Sequence, residues 1–187
     1  MIISISGVPG SGKTSAAKIL AHTLGMKFYS MGDLRGKLAQ ERGVTIDELN
    51  RLGETDPTTD TSVDDYQREL GKKEDNFVIE GRLSWYFIPD SFKVFLDCDP
   101  AEAAQRIFQA RRRGGRNDEP KYASVNVART EIEKRIASDI LRYRKYYGVD
   151  YRDPKQFDLV LDTTARKGPD ETAAAIKSAL DDQAGLR

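Results

Sequence analysis

The chain has 187 residues, and its 30 lysines and arginines are balanced by 30 aspartates and glutamates. This length suits one domain with a core that needs no disulfide or metal, so we expect a single domain over residues 1–187. A formal charge of zero argues against non-specific nucleic-acid binding, which usually requires a basic protein. Hydrophobic residues make up 39% of the chain, which is too many for a disordered protein.

The sequence has no pattern of a membrane or secreted protein. No apolar run approaches the roughly 18 residues that a spanning helix needs. The first residues lead directly into the apolar segment Ile2–Ser6, without the basic start of a signal peptide. Cys98 is the single cysteine, so an internal disulfide cannot form. We therefore expect a cytoplasmic protein in a reducing compartment, with neither a membrane nor a nucleic-acid partner.

Short apolar runs alternate with amphipathic stretches of helical length. The runs are nearly continuous in apolar residues, as strands covered on both faces are. They are Ile2–Ser6, Lys27–Tyr29, Phe77–Glu80, Lys93–Asp97 and Phe157–Asp162. Because a helix pattern follows nearly every run, the sequence predicts an α/β fold built on a parallel sheet.

Capping residues mark several helix boundaries. Thr45–Glu48 is a capping-box pattern that begins a short helix. Asp99-Pro100 and Pro169-Asp170 have the proline and acidic residues typical of helix starts. One long charged helix is predicted from about Ser124 to Tyr147, where Gly148 would end it.

Two stretches do not fit the simple alternation of strands and helices. Residues 30–73 are helical in pattern and lie between the second and third predicted strands. Residues 111–120 are rich in arginine and glycine and then turn acidic. Binding residues concentrate in such loops and lids, so we interpret both stretches as insertions over the functional edge of the sheet.

The strongest motif is Gly7–Thr14, which matches G-x-x-x-x-G-K-[ST] without a mismatch between a predicted strand and a predicted helix. Its glycines let backbone N–H groups surround a phosphate, and the helix N-terminus adds partial positive charge. We therefore predict a nucleoside triphosphate site, in which Lys13 contacts the β- and γ-phosphates and Thr14 binds Mg²⁺. The predicted nucleotide-binding residues are Gly7, Pro9, Gly10, Ser11, Gly12, Lys13, Thr14 and Ser15.

Two other classes of nucleotide-binding protein fit the sequence less well. A regulatory GTPase would need N-K-x-D to recognise guanine, and the chain has no such segment. Asp33–Gly36 matches the pattern D-x-x-G, but it lies inside the first insertion, after the second predicted strand. A large ATPase motor would need a longer chain and an apolar run that ends in Asp-Glu.

A small kinase brings several negative charges together, so it needs arginines close to the transferred phosphate. A single arginine is more often a solvated surface charge. Arg82 is different because it follows a buried strand at its carboxyl end, where open α/β sheets bind ligands. Further arginines lie in the two insertions: Arg35, Arg111, Arg112, Arg113 and Arg116.

The long predicted helix carries a second charged group. Arg135, Asp139 and Arg142 are spaced four and then three residues apart, so they share one helix face. Spacing alone favours an ordinary salt bridge within the helix, worth a few tenths of a kcal/mol.

Four features together resemble the cytidylate kinases, especially the short archaeal type. They are the loop at Gly7–Thr14, the segment Val78–Leu83, the face formed by Arg135, Asp139 and Arg142-Tyr143, and Tyr147–Asp150 followed by Phe157–Thr164. Asp56-Pro57 with Asp60 and Asp64 also resembles the acceptor-side insertion of that family. The similarity covers nearly the whole chain, and the combination is more specific than the loop alone.

The resemblance implies a P-loop kinase fold with a five-stranded parallel sheet, which transfers a phosphoryl group from ATP to CMP or dCMP with Mg²⁺. It implies an acceptor-binding insertion at 30–73 and a short lid at 111–120, and we expect a monomer. The implied catalytic residues are Lys13, Arg82 and a lid arginine, for which Arg111 and Arg116 are the candidates. The implied acceptor-binding residues are Ser30, Asp33, Arg35, Gly81, Arg82, Arg135, Asp139 and Arg142.

Two features leave the identity of the acceptor open. Bacterial cytidylate kinases have an aspartate after the Gly-Arg pair that helps to recognise the base, whereas this chain has Leu83. The aromatic run Trp85–Phe87 either lines a base pocket, packs in the core or forms a partner surface. A kinase for AMP or another small acceptor remains an alternative, as does an ATP-dependent regulatory or assembly factor with low turnover.

Overall fold

The computed structural model describes residues 1–114 and 121–185, and it contains one five-stranded sheet. The strands are β1 (Ile2–Gly7), β2 (Lys27–Ser30), β3 (Phe77–Glu80), β4 (Phe92–Asp97) and β5 (Leu159–Asp162). Their order is β2-β3-β1-β4-β5, and every neighbouring pair is parallel. The predicted α/β fold with a five-stranded parallel sheet is therefore confirmed.

Helices connect the strands. The described α-helices are α1 (Lys13–Leu24), α2 (Met31–Glu41), α3 (Ile46–Gly53), α4 (Thr58–Lys73), α5 (Ser84–Phe87), α6 (Pro100–Arg112), α7 (Val125–Tyr147) and α8 (Pro169–Gly185). No helix among the described residues is both long and apolar enough to cross a membrane. Helix α7 has the length, but charged residues recur along it.

Alternate residues of the buried strands enter two different cores. Ile3 and Ile5 of β1 pack with the inner faces of α1 and α8. On the opposite face of the sheet, Phe77 and Ile79 of β3 pack with α2 and α4, and Phe95 of β4 packs beneath α7. Successive side chains of a strand point to opposite faces, so covering both faces requires the continuous apolar runs seen in the sequence.

The predicted helix caps form as expected. The hydroxyl of Ser124 accepts a hydrogen bond from the Val127 N–H at 3.2 Å, so α7 begins one residue after it. Gly148 ends the same helix in the left-handed conformation, with φ of 69°. Thr45 and Glu48 form the reciprocal capping box of α3.

The fifth strand is shorter than the sequence suggested. The prediction was Phe157–Asp162, whereas β5 begins at Leu159. Phe157 instead closes the short 3₁₀ turn at Pro154–Gln156, where its N–H donates to the carbonyl of Pro154 at 3.2 Å. Its ring packs against Trp85.

The strand register sets the position of the functional residues. Ile5 of β1 lies opposite Glu80 of β3, and Gly7 lies opposite Leu96 of β4. The carboxyl ends of these three central strands therefore meet at one edge, where parallel sheets bind ligands. Helices α2, α3 and α4 occupy the stretch between β2 and β3. Residues 111 and 112 of the predicted lid continue α6.

Candidate active site

The turn between β1 and α1 has a backbone that requires glycine. Gly7 has φ of 144°, and a Cβ placed there would lie 2.2 Å from the carbonyl oxygen of Leu96. Gly10 has φ of 78°, and a Cβ there would lie 2.7 Å from the carbonyl oxygen of Ala103. The loop is therefore pressed against β4 and α6, and its shape cannot accept side chains at these positions.

The same turn presents positive charge. The ammonium group of Lys13 is buried and donates a hydrogen bond of 2.7 Å to the carbonyl of Val8. Helix α1 begins at Lys13, and its first turn contains no acidic residue. The helix N-terminus and the lysine together make this loop an anion site. A cavity at the loop, called here the loop cavity, is lined by Pro9, Gly10, Gly12, Lys13, Thr14, Ser15, Gly32, Asp33, Ile46, Glu80, Arg82 and Arg135.

Glu80 is a functional candidate that sequence reasoning did not single out. Its Oε1 accepts hydrogen bonds from the hydroxyls of Thr14 at 3.2 Å and Ser30 at 2.6 Å. Ser30 also caps α2 by accepting from the Asp33 N–H at 3.1 Å. One carboxylate thus connects the phosphate loop to the first insertion. The available signal was an acidic residue at the carboxyl end of a strand predicted to be buried.

A second cavity, called here the acceptor cavity, opens beside the first. Helices α2, α4 and α7 and the end of β3 form its walls. The two cavities are contiguous because four residues line both of them: Gly32, Glu80, Arg82 and Arg135. The predicted residues Arg35, Gly81, Asp139 and Arg142 line the acceptor cavity.

Arg82 connects α7 to the phosphate loop. Its Nε donates to Asp139 Oδ2 at 2.9 Å, and its Nη1 donates to the carbonyl of Gly7 at 3.0 Å. The other oxygen of Asp139 accepts from Arg142 at 2.6 Å. The salt bridge suggested by the spacing within the helix is present, but it belongs to a larger network that reaches β3 and β1.

The network continues through Asp60 of α4. Its two carboxylate oxygens pair with different cations, Arg142 at 2.7 Å and Arg35. Arg35 also donates from Nε to Asn50 Oδ1 at 2.9 Å. Three arginines and two aspartates from three helices and the segment after β3 are thus held in one interior chain of alternating charge: Arg82, Asp139, Arg142, Asp60 and Arg35.

Charge pairing keeps this network ionised in the interior. Burial alone would raise the pKa of Asp139, but the guanidiniums of Arg82 and Arg142 hold it below its usual value. Burial alone would lower the pKa of Arg82, but the carboxylate of Asp139 holds it above its usual value. The cavity therefore keeps its cations charged and oriented, as a site for a phosphate requires.

In the wall formed by α4, buried side chains accept hydrogen bonds from neighbouring hydroxyl groups. The hydroxyl of Tyr147 donates to the Asp64 carboxylate, and the hydroxyl of Ser84 donates to Gln67 Oε1 at 2.7 Å. Both Asp64 and Gln67 are buried and line the acceptor cavity. Desolvation raises the pKa of Asp64 to about 6.

A third cavity lies on the other side of the phosphate loop. Arg106 of α6 crosses it and donates from Nη2 to the carbonyls of Thr163 at 2.8 Å and Thr164 at 3.0 Å. Ser15, Arg166 and the start of α8 complete its lining. Sequence reasoning did not select Arg106, which sits inside a helix with no motif around it.

The lid predictions stand apart from the other site residues. Arg111 is half-buried in the last turn of α6 and is not among the residues that line the loop cavity or the acceptor cavity. Arg116 lies outside the described residues.

Two of the three aromatic side chains after Arg82 belong to the core. Trp85 and Phe87 are buried in the cluster beneath α7, where the indole N–H of Trp85 donates to the Arg82 carbonyl at 3.1 Å. The run does not line the acceptor cavity, so the base-pocket interpretation is not supported. Tyr86 remains 37% exposed, and whether it forms part of a partner surface stays a prediction.

Comparison with known proteins identifies the family to which this chain belongs. The sequence model of the cytidylate kinase-like family matches residues 2–165. A cytidylate kinase of Natronomonas pharaonis is 38% identical over 96% of this chain and 89% of its own length. A cytidylate kinase of Methanocella arvoryzae is 40% identical over 88% of each chain.

Solved structures agree at the level of the fold. A shikimate kinase from Bacteroides thetaiotaomicron superimposes with a TM-score of 0.65 at 16% identity, covering 97% of this chain and 98% of its own. The sequence matches extend over most of this chain and of each relative, and the chain belongs to the cytidylate kinase-like family.

Proposed function

We propose that this protein is an ATP-dependent kinase that converts CMP or dCMP to the corresponding diphosphate. The proposal rests on the observation that two cavities lie side by side and that each contains positively charged groups. One contains an anion-binding loop with Lys13, and the other contains a buried arginine network. Because Arg82 and Arg135 line both cavities, the phosphate of an acceptor would face the terminal phosphate of a donor.

The donor side follows from the loop and the cavity beyond it. Backbone N–H groups of the loop and the N-terminus of α1 would bind the phosphates of ATP. Lys13, which now donates to the Val8 carbonyl, would turn to the β- and γ-phosphates, where charge changes during transfer. The cavity crossed by Arg106 would take the adenosine, because it lies on the side of the loop away from the acceptor.

The oxygen atoms at the loop suit Mg²⁺. The hydroxyl of Thr14 and the carboxylate of Glu80 lie 3.2 Å apart, and both are hard oxygen donors. No cluster of three or more acidic, histidine or cysteine side chains is found in the part of the chain that the structure describes. This suits a metal that binds one or two protein groups together with phosphate and water. Bound there, Mg²⁺ supplies neutralisation of the phosphate charge.

The acceptor side is assigned to the arginine network. Arg82 and Arg135 would contact the phosphate of the monophosphate, and Arg142 with Asp139 would contact its sugar. Ser30 and Asp33 would border this site at the start of α2, and Arg35 would contribute a further cation. An arginine of the lid, Arg111 or Arg116, would approach the transferred group. In this scheme transfer depends on positioning and charge neutralisation by the chain's own cations.

We further propose a cytoplasmic monomer. Residues of a single chain line both cavities, which agrees with this proposal. The buried thiol of Cys98 suits a reducing compartment.

The direct test is a coupled assay of ADP formation with CMP, dCMP, UMP, AMP and GMP as acceptors. We expect CMP and dCMP to be preferred. The Lys13→Ala variant should lose at least about a hundredfold in turnover while its melting temperature stays close to that of the wild type. The matched control is Lys18→Ala on the exposed face of α1. A wild type that is inactive with every monophosphate, or a Lys13→Ala variant within a few-fold of the wild-type rate, would contradict the proposal.

A further inference from the structure

The wall of the acceptor cavity contributed by α4 is chemically distinct from the arginine network. Arg82 and Arg135 line both this cavity and the loop cavity, so they mark the end nearest the phosphate loop. Residues of α4 spaced three and four apart lie on one helix face and line the remaining wall. They are Asp60, Val63, Asp64 and Gln67.

The direction of α4 places these residues at different depths. The helix leads into β3, whose first residue Phe77 lies opposite Ile2, at the end of the sheet away from the loop. Successive turns of α4 therefore descend from the functional edge toward the opposite end. With a rise of about 1.5 Å per residue, Gln67 lies about 10 Å further along this helix than Asp60.

This inference rests on the proposed function, which fixes the orientation of the acceptor. Its phosphate must face the phosphate loop, near Arg82, for transfer to occur. The sugar then lies among the charges of Arg142 and Asp139, and the base extends toward the deeper wall. The polar side chains of that wall are Asp64 and Gln67.

Asp64 presents a hydrogen-bond acceptor to this part of the cavity. Its Oδ2 accepts from the hydroxyl of Tyr147, and within the described residues Oδ1 makes no hydrogen bond. Although burial raises the pKa of Asp64 to about 6, the carboxyl group is mainly ionised at pH 7.5. At that pH it can accept hydrogen bonds but cannot donate one.

Gln67 presents a hydrogen-bond donor to the same part of the cavity. Its Oε1 accepts from the Ser84 hydroxyl at 2.7 Å, and within the described residues its NH₂ group makes no hydrogen bond. In the structure this bond places the amide oxygen on the side of Ser84. The NH₂ group therefore remains as a donor on the cavity side.

We propose that Asp64 and Gln67 read the hydrogen-bonding edge of the acceptor base and select cytosine over uracil. Asp64 would accept from the exocyclic amine of cytosine, and Gln67 would donate to its ring nitrogen N3. Uracil offers a carbonyl to the carboxylate and an N–H to the amide, so both pairings become repulsive. Helix α4 thereby supplies base recognition in a chain that has Leu83 after Arg82.

The same hydrogen-bonding pattern determines which bases Asp64 and Gln67 can distinguish. Adenine also places an amine beside an unprotonated ring nitrogen, so this pair distinguishes amino bases from keto bases. Val63, Leu83 and Tyr143 line the same cavity and limit its width. They are the residues expected to separate a pyrimidine from a purine.

The test is the ratio of kcat/KM for CMP to that for UMP in the Asp64→Asn variant at pH 7.5, together with equilibrium binding of both nucleotides by calorimetry. The Tyr147 hydroxyl would keep the oxygen of the new amide, so its NH₂ group would face the base and oppose the cytosine amine. We expect the ratio to fall about tenfold to a hundredfold. Most of the change should be a loss with CMP.

A matched control and a second variant complete the experiment. Asp65→Asn changes the neighbouring carboxylate, which is exposed and pairs with Arg68 at the surface, and it should leave the ratio within twofold of the wild type. Gln67→Glu keeps an acceptor for Ser84 but replaces the cavity-side donor with an acceptor, so it should shift the ratio toward UMP. If Asp64→Asn does not fold, the Gln67→Glu variant alone provides the test.

The outcomes separate this inference from the proposed function. If the folded variants keep the wild-type ratio, or lose activity equally with CMP and UMP, Asp64 and Gln67 have only a structural role and the inference is wrong. A wild type inactive with all monophosphates refutes the proposed function itself, and the base-reading role fails with it. The inference is supported if the ratio of kcat/KM for CMP to that for UMP falls in Asp64→Asn and in Gln67→Glu but not in Asp65→Asn.

Discussion

Arg142 and Asp60 form an ion pair of 2.7 Å in the interior, although they lie 82 residues apart in the chain. The same carboxylate also pairs with Arg35, so it joins α7 to α2 through α4. A buried charge without a partner costs several kcal/mol, so removing one member of this pair should destabilise the fold. The charges that line this part of the acceptor cavity are thus neutralised by one another.

The Asp60→Asn variant should be destabilised by about 3 kcal/mol or more, because it leaves Arg142 and Arg35 without their shared counter-ion. Urea unfolding measured by circular dichroism would give the difference. The control is Asp65→Asn, whose carboxylate forms only a surface pair with Arg68 and should cost less than about 1 kcal/mol. Equal losses in the two variants would show that the buried network does not contribute as described.

The Arg82→Ala variant should lose about tenfold to a hundredfold in kcat/KM for the acceptor. The KM for ATP should change less, through the lost hydrogen bond to the Gly7 carbonyl of the phosphate loop. In the proposed scheme it removes a charge-assisted contact to the acceptor phosphate, worth about 1.5–3 kcal/mol. Initial rates with each substrate varied in turn would measure both effects. Arg129→Ala, on the exposed part of α7 beside Glu133, is the control. Acceptor kinetics unchanged from the wild type would remove Arg82 from the phosphate site.

The Thr14→Ala variant should need at least about tenfold more Mg²⁺ for half-maximal rate, because its hydroxyl is an expected metal ligand. The affinity for the nucleotide should change less. A titration of rate against Mg²⁺ at saturating ATP would separate the two effects. Thr14→Ser keeps the hydroxyl and should behave like the wild type. The assignment fails if the alanine variant shows an unaltered metal requirement.

The stability of the protein should depend on the protonation of Asp64. Its pKa is raised from 3.8 to about 6 in the folded state, so folding favours the protonated form. This contribution is fully present below pH 4 and is lost as the pH rises through about 6. The wild type should therefore gain up to about 3 kcal/mol relative to Asp64→Asn on going from pH 7.5 to pH 4.

Urea unfolding of the wild type and the Asp64→Asn variant at several pH values measures this difference. Contributions of other titrating groups cancel in the comparison because both proteins contain them. A difference that stays constant from pH 4 to pH 7.5 would show that burial does not perturb this carboxyl group.

Local features of the fold were readable from the sequence. The loop at Gly7–Thr14, the start of α7 after Ser124 and its end at Gly148 depend on residues within a few positions of each other. Glycine conformation and capping chemistry act over the same short distances. The prediction of these boundaries therefore needed no knowledge of the tertiary structure.

The ion pairs and hydrogen bonds inside the site could not be predicted from the sequence in the same way. Asp139 has Arg142 one turn away, and the sequence predicted that contact, but nothing local indicates that Arg82 takes the other oxygen. The role of Glu80 depends on the register that sets β3 beside β1, because only that register brings its carboxylate to Thr14. Such contacts are decided by the packing of elements distant in the chain.

Glu80 also hydrogen-bonds to both halves of the site, so we expect the two halves to be thermodynamically coupled. It accepts from Thr14, which belongs to the phosphate loop, and from Ser30, which caps the first helix of the insertion. A ligand that redirects one of these hydroxyls alters the bond that the same oxygen makes with the other. Linkage requires the resulting coupling to be equal in both directions. We therefore expect the affinity for the donor and the affinity for the acceptor to be coupled through this carboxylate.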